Sequence, residues 1–346
     1  MFEDDYDRDA EREKFLKNAG YAHHDIARLK GDASKRIFSR LTKSGKSFIL
    51  VDASPLLGEE PAAYAALTMY LLKNGLKCPQ ILAEDVYQGF FIVEDFGDNL
   101  FSQLLKNADK STEEELYKAA IDVLVALQKS PIEDVVSYED FSHKLQLFNI
   151  DRLIAEARLF TDWYIPELTR RPVSYAARDE FTAIFRGLLL PVVNEQKVVV
   201  LRDYHADNLM WFPDQKDIER VGLLDYQDAV IGNPAYDVVS LLQDARRPIA
   251  SSLQKKMIDY YLSQSDLLSK EDFMRCYNIL GAQRNIKILG IFMRLFVVDK
   301  KSDYLAFLPT VWGYLEEDLA QPELKPLKDW FDRWLPLPLR HEEIAA

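Results

Sequence analysis

Two short apolar runs in the middle of the chain each lead into an aspartate. Val198–Leu201 comes just before Asp203, and Val221–Leu224 is followed at once by Asp225. Asn208 stands five residues after Asp203. Runs of this length predict short buried strands, with a polar hairpin turn between them. We therefore expect a carboxylate, an amide and a second carboxylate to converge at the ends of two neighbouring strands.

This combination of groups suits phosphoryl transfer. One carboxylate can orient or deprotonate an acceptor hydroxyl, while an amide oxygen and another carboxylate hold magnesium on nucleotide phosphates. Magnesium prefers oxygen ligands and takes few of them from the protein. The spacing predicts Asp203 as the catalytic residue and Asn208 and Asp225 as the metal ligands.

A strand–turn–strand pattern near the start of the chain is a candidate nucleotide-covering hairpin. A tight turn at 31–34 leads into an alternating, strand-like run at 37–41, and an apolar run follows at 48–51. Backbone N–H groups in such a hairpin can close over a triphosphate. The segment lacks a Gly-x-Gly-x-x-Gly motif, and an ordinary hairpin with solvent-facing charges is the alternative. The candidate phosphate contacts are Gly31, Ser34, Lys35, Arg36 and Arg40.

The remaining pattern predicts a small β-rich part and a larger helical part. A helix is expected to begin at Pro61, after two glutamates that suit the helix dipole. Further strands are expected at 80–83 and 89–93, and helical periodicity dominates beyond Asn99. We expect an α+β fold with an antiparallel-sheet N-lobe at 1–95 and a mainly helical C-lobe at 96–346. Glu94 and Phe96 lie in the predicted crossing between the lobes.

Composition narrows the class of protein. The 346 residues are 48% hydrophobic, enough for a substantial core, and the formal net charge is −13. This acidic balance argues against a nucleic-acid-binding role. The N-terminus does not read as a signal peptide and no apolar run spans a bilayer, so we expect a cytoplasmic protein without a membrane partner. Cys78 and Cys276 predict two buried, reduced thiols.

At its central motifs the chain resembles the aminoglycoside phosphotransferase family, which has a protein-kinase-like fold. Leu201–Asn208 is similar to the family's catalytic loop, and Leu224–Tyr226 to its metal-binding segment. Asn233–Asp237 is similar to the later Asp-Pro-x-x-Asp motif. Within the family the likeness is greatest to bacterial anomeric kinases of N-acetylmuramate and N-acetylglucosamine. The resemblance implies ATP between two lobes, magnesium, and a small sugar as the acceptor.

The chain departs from the family pattern at two places. The first catalytic-loop residue, usually His, is Leu201, and Arg202 replaces a Gly. The family's phosphate-binding Lys, expected near Val51, is missing. Lys35, Lys46 or an arginine could substitute for it, or the phosphates could rely more on backbone groups and the metal. Glu59 or Glu60 could be the acid that kinases pair with that lysine, although helix-capping charge is the favoured explanation.

Other residues have candidate roles around this core. Asp237 is expected to bond the backbone of the catalytic loop, and His205 to shape that loop. The apolar helix at 281–298 carries Gln283, Lys287 and Arg294 on another face. Arg284 or Arg294 could receive an acidic acceptor through a bidentate contact, with surface charge or an ion pair as the alternative. Asn285 accompanies Arg284 as a candidate acceptor contact, and Asp228 could touch metal or acceptor or simply be solvated.

Two rival functions stay open at this level. The acceptor could be an aminoglycoside, choline or another small alcohol. Alternatively, Leu201 and the missing lysine permit a non-catalytic nucleotide-binding module, although Asp203, Asn208 and Asp225 argue against it.

Overall fold

A computed structural model describes residues 3–29, 35–195 and 197–340. The candidate phosphate contacts Gly31 and Ser34 lie outside these residues. The described chain groups into two compact units. The sheet unit comprises the described residues up to Leu100 together with Glu133–Leu145 and Met210–Asp228. The helical unit comprises Phe101–Ile132, Gln146–Leu209 and the described residues from Ala229 onward. The lobe boundary near residue 95 stays a prediction.

The strands are short and are distributed over one larger sheet and three two-stranded sheets. In chain order they are β1 (Asp25–Arg28), β2 (Ile37–Lys43), β3 (Lys46–Asp52), β4 (Ile81–Asp85), β5 (Phe90–Glu94), β6 (Val135–Tyr138), β7 (Phe141–Lys144), β8 (Val198–Val200), β9 (Leu209–Trp211), β10 (Val221–Leu223) and β11 (Val230–Gly232).

The helices make up most of the chain beyond Leu100. In chain order they are α1 (Glu3–Asn18), α2 (Pro61–Lys73), α3 (Phe101–Leu104), α4 (Lys110–Lys129), α5 (Ile150–Leu159), α6 (Ile165–Thr169), α7 (Tyr175–Val193), α8 (Ala235–Leu242), α9 (Ser251–Gln264), α10 (Lys270–Asp299), α11 (Leu308–Leu319), α12 (Lys325–Trp334) and α13 (Leu337–Arg340). A π-helical turn at Phe160–Tyr164 joins α5 to α6.

The sheet unit is built on five antiparallel strands in the order β1-β2-β3-β5-β4. Side chains alternate between its two faces along each strand. Leu50 packs with Phe15 on one face, and Val51 packs with Ala65 on the other. Apolar residues therefore occupy both faces, with α1 covering one and α2 the other. This small antiparallel sheet, beside a largely helical remainder, confirms the predicted fold class.

Strand pairing corrects one expectation about the central motifs. β8, which leads into Asp203, pairs with β11, whereas β10, which leads into Asp225, pairs with β9. The two acids therefore do not follow neighbouring strands of one sheet. Hydrophobic runs revealed these strands, but a run of three or four apolar residues carries no information about its partner.

The helical unit is organised around the 30-residue helix α10, which packs against α5, α8 and α11. Its approach to the end of α5 requires a glycine. A Cβ at Gly290 would lie 2.4 Å from the backbone carbon of Leu159. Ser269 caps the helix by accepting a hydrogen bond from the Asp272 N–H at 3.0 Å. None of the described helices combines the length and apolar character that crossing a membrane requires.

Candidate active site

The loop after β8 is fixed by one buried carboxylate of α8. Asp237 accepts hydrogen bonds from the backbone N–H of Leu201 at 2.7 Å and of Arg202 at 2.9 Å. Asp237 is 1% exposed and lies in the first turn of its helix. The expected structural role of Asp237 is thus confirmed. Burial raises the pKa of this carboxyl to about 7, against the effect of the two N–H donors.

Arg202 holds the loop in a conformation that favours glycine. Its φ of 71° lies in the left-handed region, where a Cβ is strained. The side chain is secured by Glu156, whose Oε1 lies 2.7 Å from the guanidinium, and by the ring of Phe148 at 5.3 Å. The Arg202 carbonyl accepts a hydrogen bond from the Ser240 hydroxyl at 3.1 Å. These contacts explain how an arginine can replace the glycine of aminoglycoside kinases.

Asp203 lies among cationic side chains of the helical unit. Burial alone would raise its pKa, but the charges of Lys287, His205, Arg202 and Arg284 together bring the pKa of Asp203 below its ordinary value. Asp203 is therefore a carboxylate throughout the physiological pH range. Lys287 is positioned by the Tyr236 hydroxyl at 2.9 Å and by Glu156 at 3.8 Å. A carboxylate kept ionised in this way can orient a hydroxyl and accept its proton.

Asn208 closes the same loop. Its Nδ2 donates to the backbone carbonyl of Asp203 at 2.9 Å, so Oδ1 is the end of the amide that can serve a cation. The backbone N–H of Asn208 bonds the carbonyl of His205 at 2.9 Å. The His205 side chain is buried, with Nε2 lying 3.4 Å from Arg246. Asp203 and Asn208 are thus brought together by a direct loop hydrogen bond.

In the sheet unit, three acids surround one arginine. The Arg36 guanidinium bonds Asp225 and Gln227, and its Nε lies 3.3 Å from Glu59. Gln227 Nε2 donates to Asp225 at 3.0 Å and to Asp228 at 2.9 Å. Burial would lower the pKa of Arg36, but Asp225, Glu59 and Asp228 raise it above its ordinary value. We name Arg36, Glu59, Asp225, Gln227 and Asp228 the Arg36 cluster.

The backbone at Asp225 is left-handed, with a φ of 57°. Aspartate tolerates this conformation better than most residues. The next side chain, Tyr226, is fully buried, stacks on Tyr64 at 5.6 Å and shares a 2.8 Å hydrogen bond with Thr68. The buried tyrosine fixes the segment, and the flanking acids stay in the Arg36 cluster.

Glu59 does not have the capping role favoured by its sequence. The N-cap of α2 is Glu60, without a side-chain cap hydrogen bond, and the first turn carries no acid. Glu59 instead forms its ion pair with Arg36. Burial raises the pKa of Glu59, and the charge of Arg36 opposes that rise. Helix-dipole reasoning could not anticipate a partner 23 residues upstream.

The other candidate nucleotide contacts lie along the sheet unit. Lys35 is exposed and donates to the Leu57 carbonyl at 3.0 Å. Arg40 pairs with Asp95 at 2.6 Å. Glu94 ends β5 and accepts a hydrogen bond from the Gln80 N–H at 3.0 Å, while the ring of Phe96 meets Phe212 edge-on at 5.0 Å. Arg36 is the one that contacts a predicted metal ligand.

The candidate acceptor residues Arg284 and Asn285 are buried in α10. Arg284 is 4% exposed and lies 3.4 Å from the Gln243 carbonyl, so surface charge does not describe it. Asn285 donates to Gln243 at 2.8 Å and to Asp318 at 3.1 Å. The Arg284 Nε has no protein hydrogen-bond partner within the described residues. Arg284 thus retains a donor for a ligand, while Asn285 belongs to an internal polar network.

The donor types fit a hard divalent cation. Carboxylate oxygens at Asp225 and an amide oxygen at Asn208 are the ligands that magnesium takes in proteins. Within the described ranges, no group of three or more His, Cys, Asp or Glu side chains is arranged to hold a metal ion by itself. Magnesium needs few protein ligands, because nucleotide phosphates and water complete its coordination.

Two contributing residues escaped the sequence analysis, and a third, Lys287, was noted there without a role. Gln227 links two acids of the Arg36 cluster, Glu156 secures Arg202, and Lys287 sets the charge around Asp203. Gln227 lies between the candidate residues Asp225 and Asp228 in the sequence, and this position could have identified it as a site residue. Glu156 lies on helix α5, where helical periodicity gives no reason to select it, whereas periodicity placed Lys287 on the polar side of α10 but did not connect it with Asp203.

Comparison with known proteins places these motifs in a family. The model of the phosphotransferase enzyme family matches residues 25–274. An N-acetylmuramate/N-acetylglucosamine kinase from Caulobacter vibrioides is 34% identical, over 96% of this chain and 98% of its own length. The similarity thus extends well beyond the central motifs.

Solved structures show the same fold at low identity. The choline kinase LicA from Streptococcus pneumoniae superposes with a TM-score of 0.62 at 14% identity, covering 93% of this chain and 99% of its own. The GDP complex of wild-type aminoglycoside 2'-phosphotransferase-IIIa gives a TM-score of 0.59 at 14% identity, covering 90% and 98%.

Proposed function

Because the chain belongs to the phosphotransferase enzyme family, we propose that it transfers the γ-phosphoryl group of ATP to a sugar hydroxyl. The proposed acceptor hydroxyl is the anomeric one of N-acetylmuramate or N-acetylglucosamine, the sugars in the name of the Caulobacter vibrioides relative. The observation that carries the proposal is the state of Asp203: a carboxylate kept ionised by cationic side chains, on a loop anchored by Asp237.

In the proposed reaction Asp203 orients the acceptor hydroxyl and accepts its proton. A bond forms between the acceptor oxygen and the γ-phosphorus, the bond from that phosphorus to the bridging oxygen breaks, and ADP leaves with the electron pair. An anomeric hydroxyl is more acidic than an ordinary alcohol, so a carboxylate with a low pKa suffices as the base.

Asn208 and Asp225 are the proposed magnesium ligands, through the amide Oδ1 and a carboxylate oxygen. When bound, the metal supplies charge neutralisation on the nucleotide phosphates. The proposed nucleotide contacts are Gly31, Ser34, Lys35, Arg36, Glu94 and Phe96. Lys35 and Arg36 would meet phosphates, while the segment containing Glu94 and Phe96 would offer backbone groups to the adenine.

The charge around Asp203 favours an acceptor that is neutral or anionic. Lys287, Arg284 and Arg202 create a positive field that would repel choline or an aminoglycoside. Arg284, with its remaining Nε donor, is the proposed partner of a lactyl carboxylate. Asn285 and Asp228 stay candidate acceptor contacts of the same site.

An acceptor panel tests the proposal. Purified protein is given magnesium, ATP or GTP, and one acceptor at a time: N-acetylglucosamine, N-acetylmuramate, choline or kanamycin. We expect ADP release with the two N-acetyl sugars and none with the cations, and phosphorus NMR should place the new phosphate on the anomeric oxygen. Turnover confined to a cationic acceptor would reject the assigned acceptor class, and no turnover on the sugars would reject the function.

A further inference from the structure

The position where the family carries its phosphate-binding lysine is apolar in this chain. Val51 is 3% exposed and packs with Val93 and Phe91 in the core of the sheet unit. In protein kinases the corresponding lysine pairs with an acid of a neighbouring helix and contacts nucleotide phosphates. A different residue of the sheet unit must supply that positive charge if this chain binds a triphosphate in the same way.

Arg36 has the partners that such a cation needs. It stands just before β2, and its side chain is 8% exposed. Nε faces Glu59, which lies two residues before α2, while the two terminal nitrogens bond Gln227 and Asp225. One guanidinium therefore joins a helix-proximal acid to a proposed metal ligand. The planar guanidinium of an arginine has several donors in a fixed arrangement and can make these contacts at the same time, whereas the compact ammonium of a lysine cannot.

The charge balance of the Arg36 cluster points to an exchange of partners. Three carboxylates and one guanidinium give it a formal charge of −2. A divalent cation would neutralise that charge. Since Asp225 Oδ1 already accepts hydrogen bonds from Arg36 and Gln227, a metal approaching this oxygen competes with both.

We propose that Arg36 replaces the family's lysine and is the counter-ion of Asp225 in the nucleotide-free protein. On nucleotide binding, Arg36 transfers its terminal nitrogens from Asp225 and Gln227 to a phosphate, while Nε stays paired with Glu59. This inference rests on the proposed function, because it assumes that Asp225 serves a magnesium–nucleotide complex. It assigns to Arg36 and Glu59 the ion pair that kinases build from lysine and glutamate.

The test compares two affinities that should change in opposite directions in Arg36→Gln. Without its arginine the cluster keeps three carboxylates, so binding of Mn²⁺ alone should tighten, by about 10-fold. Binding of ADP with magnesium should weaken by about 10-fold or more, since a charge-assisted phosphate contact is lost. Titration calorimetry measures both affinities in the full chain, and manganese EPR provides a second measure of free metal.

Arg8→Gln is the matched control. Arg8 is a partly buried arginine of the same unit, bonded to Asp52 at 2.5 Å and stacked over Phe90 at 3.7 Å, outside the Arg36 cluster. Its loss should lower the melting temperature and leave both affinities unchanged. Arg36→Lys should recover most of the ADP affinity, because the charge returns. Glu59→Gln should weaken ADP binding, by about 3-fold or more, since Arg36 loses its anchor.

Wild-type affinity for magnesium–ADP in both Arg36→Gln and Glu59→Gln would overturn the inference. So would a parallel loss of Mn²⁺ and ADP binding in Arg36→Gln, because that result describes a residue that only maintains the fold. Should Arg36→Gln fail to fold, Arg36→Lys and Glu59→Gln decide the question through their ADP affinities. The wild-type protein's sugar-dependent ADP release tests the proposed function separately, so the two failures are distinguishable.

Discussion

The two central aspartates, one the proposed proton acceptor and the other a proposed metal ligand, lie in opposite electrostatic surroundings. Asp203, in the helical unit, is surrounded by cationic side chains that lower its pKa. Asp225, in the sheet unit, shares its surroundings with Asp228 and Glu59, and Arg36 offsets part of their charge. Both acids follow short strands, and both loops contain a residue with left-handed backbone, Arg202 in one and Asp225 in the other.

The difference shows how one side-chain type can acquire two functions. An acid among cations is ionised and ready to accept a proton from a hydroxyl. An acid among acids carries excess negative charge, which a divalent cation relieves. The proposed role of each aspartate therefore depends on the residues around it, half of which lie far away in sequence.

The largest effects are expected from substituting the two aspartates themselves. Asp203→Asn should reduce kcat by about 10²–10⁴-fold, since it removes the proton acceptor, and should spare magnesium–ADP affinity. Asp225→Asn should reduce kcat comparably and also weaken magnesium–ADP binding, because it removes a metal ligand. Rates of sugar-dependent ADP release and calorimetric affinities measure the two effects.

The contrast between these variants is the informative part. Equal loss of nucleotide affinity in both would show that the acids do not divide the work in this way. Full activity in either variant would remove that residue from the proposed mechanism.

A smaller effect, on the free energy of unfolding, is expected from Asp237, which anchors the loop that carries Asp203. Its pKa is raised to about 7 in the folded protein by burial, above the value of an unfolded aspartate. The folded state therefore binds more protons between about pH 4 and pH 7, so the free energy of unfolding should fall as pH rises through this window. The contribution is at most about 1.4 kcal/mol per pH unit.

Urea unfolding of the wild type and of Asp237→Asn between pH 5 and pH 8 measures this effect. In Asp237→Asn, the free energy of unfolding should lack the pH dependence assigned to residue 237. The variant should also be less stable than the wild type wherever Asp237 accepts hydrogen bonds from both the Leu201 and Arg202 N–H groups. An identical pH slope in both proteins would contradict the prediction.

The smallest expected effect is the near absence of thiol reactivity in the folded protein. Burial raises the pKa of Cys78, in the sheet unit, to about 12, and burial also raises the pKa of Cys276, in the helical unit. Neither thiol should react appreciably with a disulfide reagent at pH 8 until urea is added. Cys78→Ser and Cys276→Ser then give one reporter for the opening of each unit. Rapid labelling of one thiol in native buffer would mark its unit as locally open.

Local signals predicted many of these elements. Alternation indicated β2, continuous apolar runs indicated β3 and β5, and Pro61 indicated the start of α2. The expected anchor role of Asp237 and the burial of both cysteines are confirmed. These features depend on residues that are close in sequence, or only on whether a residue is buried. The pattern of hydrophobic residues in the sequence reflects both.

Features that depend on distant partners were harder to predict. Pairing of β8 with β11 and the ion pair of Glu59 with Arg36 join residues whose proximity is decided by tertiary packing. The same holds for the charge that Lys287 brings to Asp203. The predicted hairpin made Arg36 a candidate phosphate contact, but the ion pair between Arg36 and Asp225 became visible only in the structure.

The interleaved make-up of the sheet unit constrains how the chain can fold during synthesis. Its last segment, Met210–Asp228, comes after helices α3 to α7 in the chain. About two thirds of the chain must therefore be synthesised before all segments of this unit are present. Until then, the first hundred residues lack part of the unit into which they fold. Contacts of such long sequence separation slow folding, so the nascent N-terminal segment is where a chaperone would find exposed apolar surface.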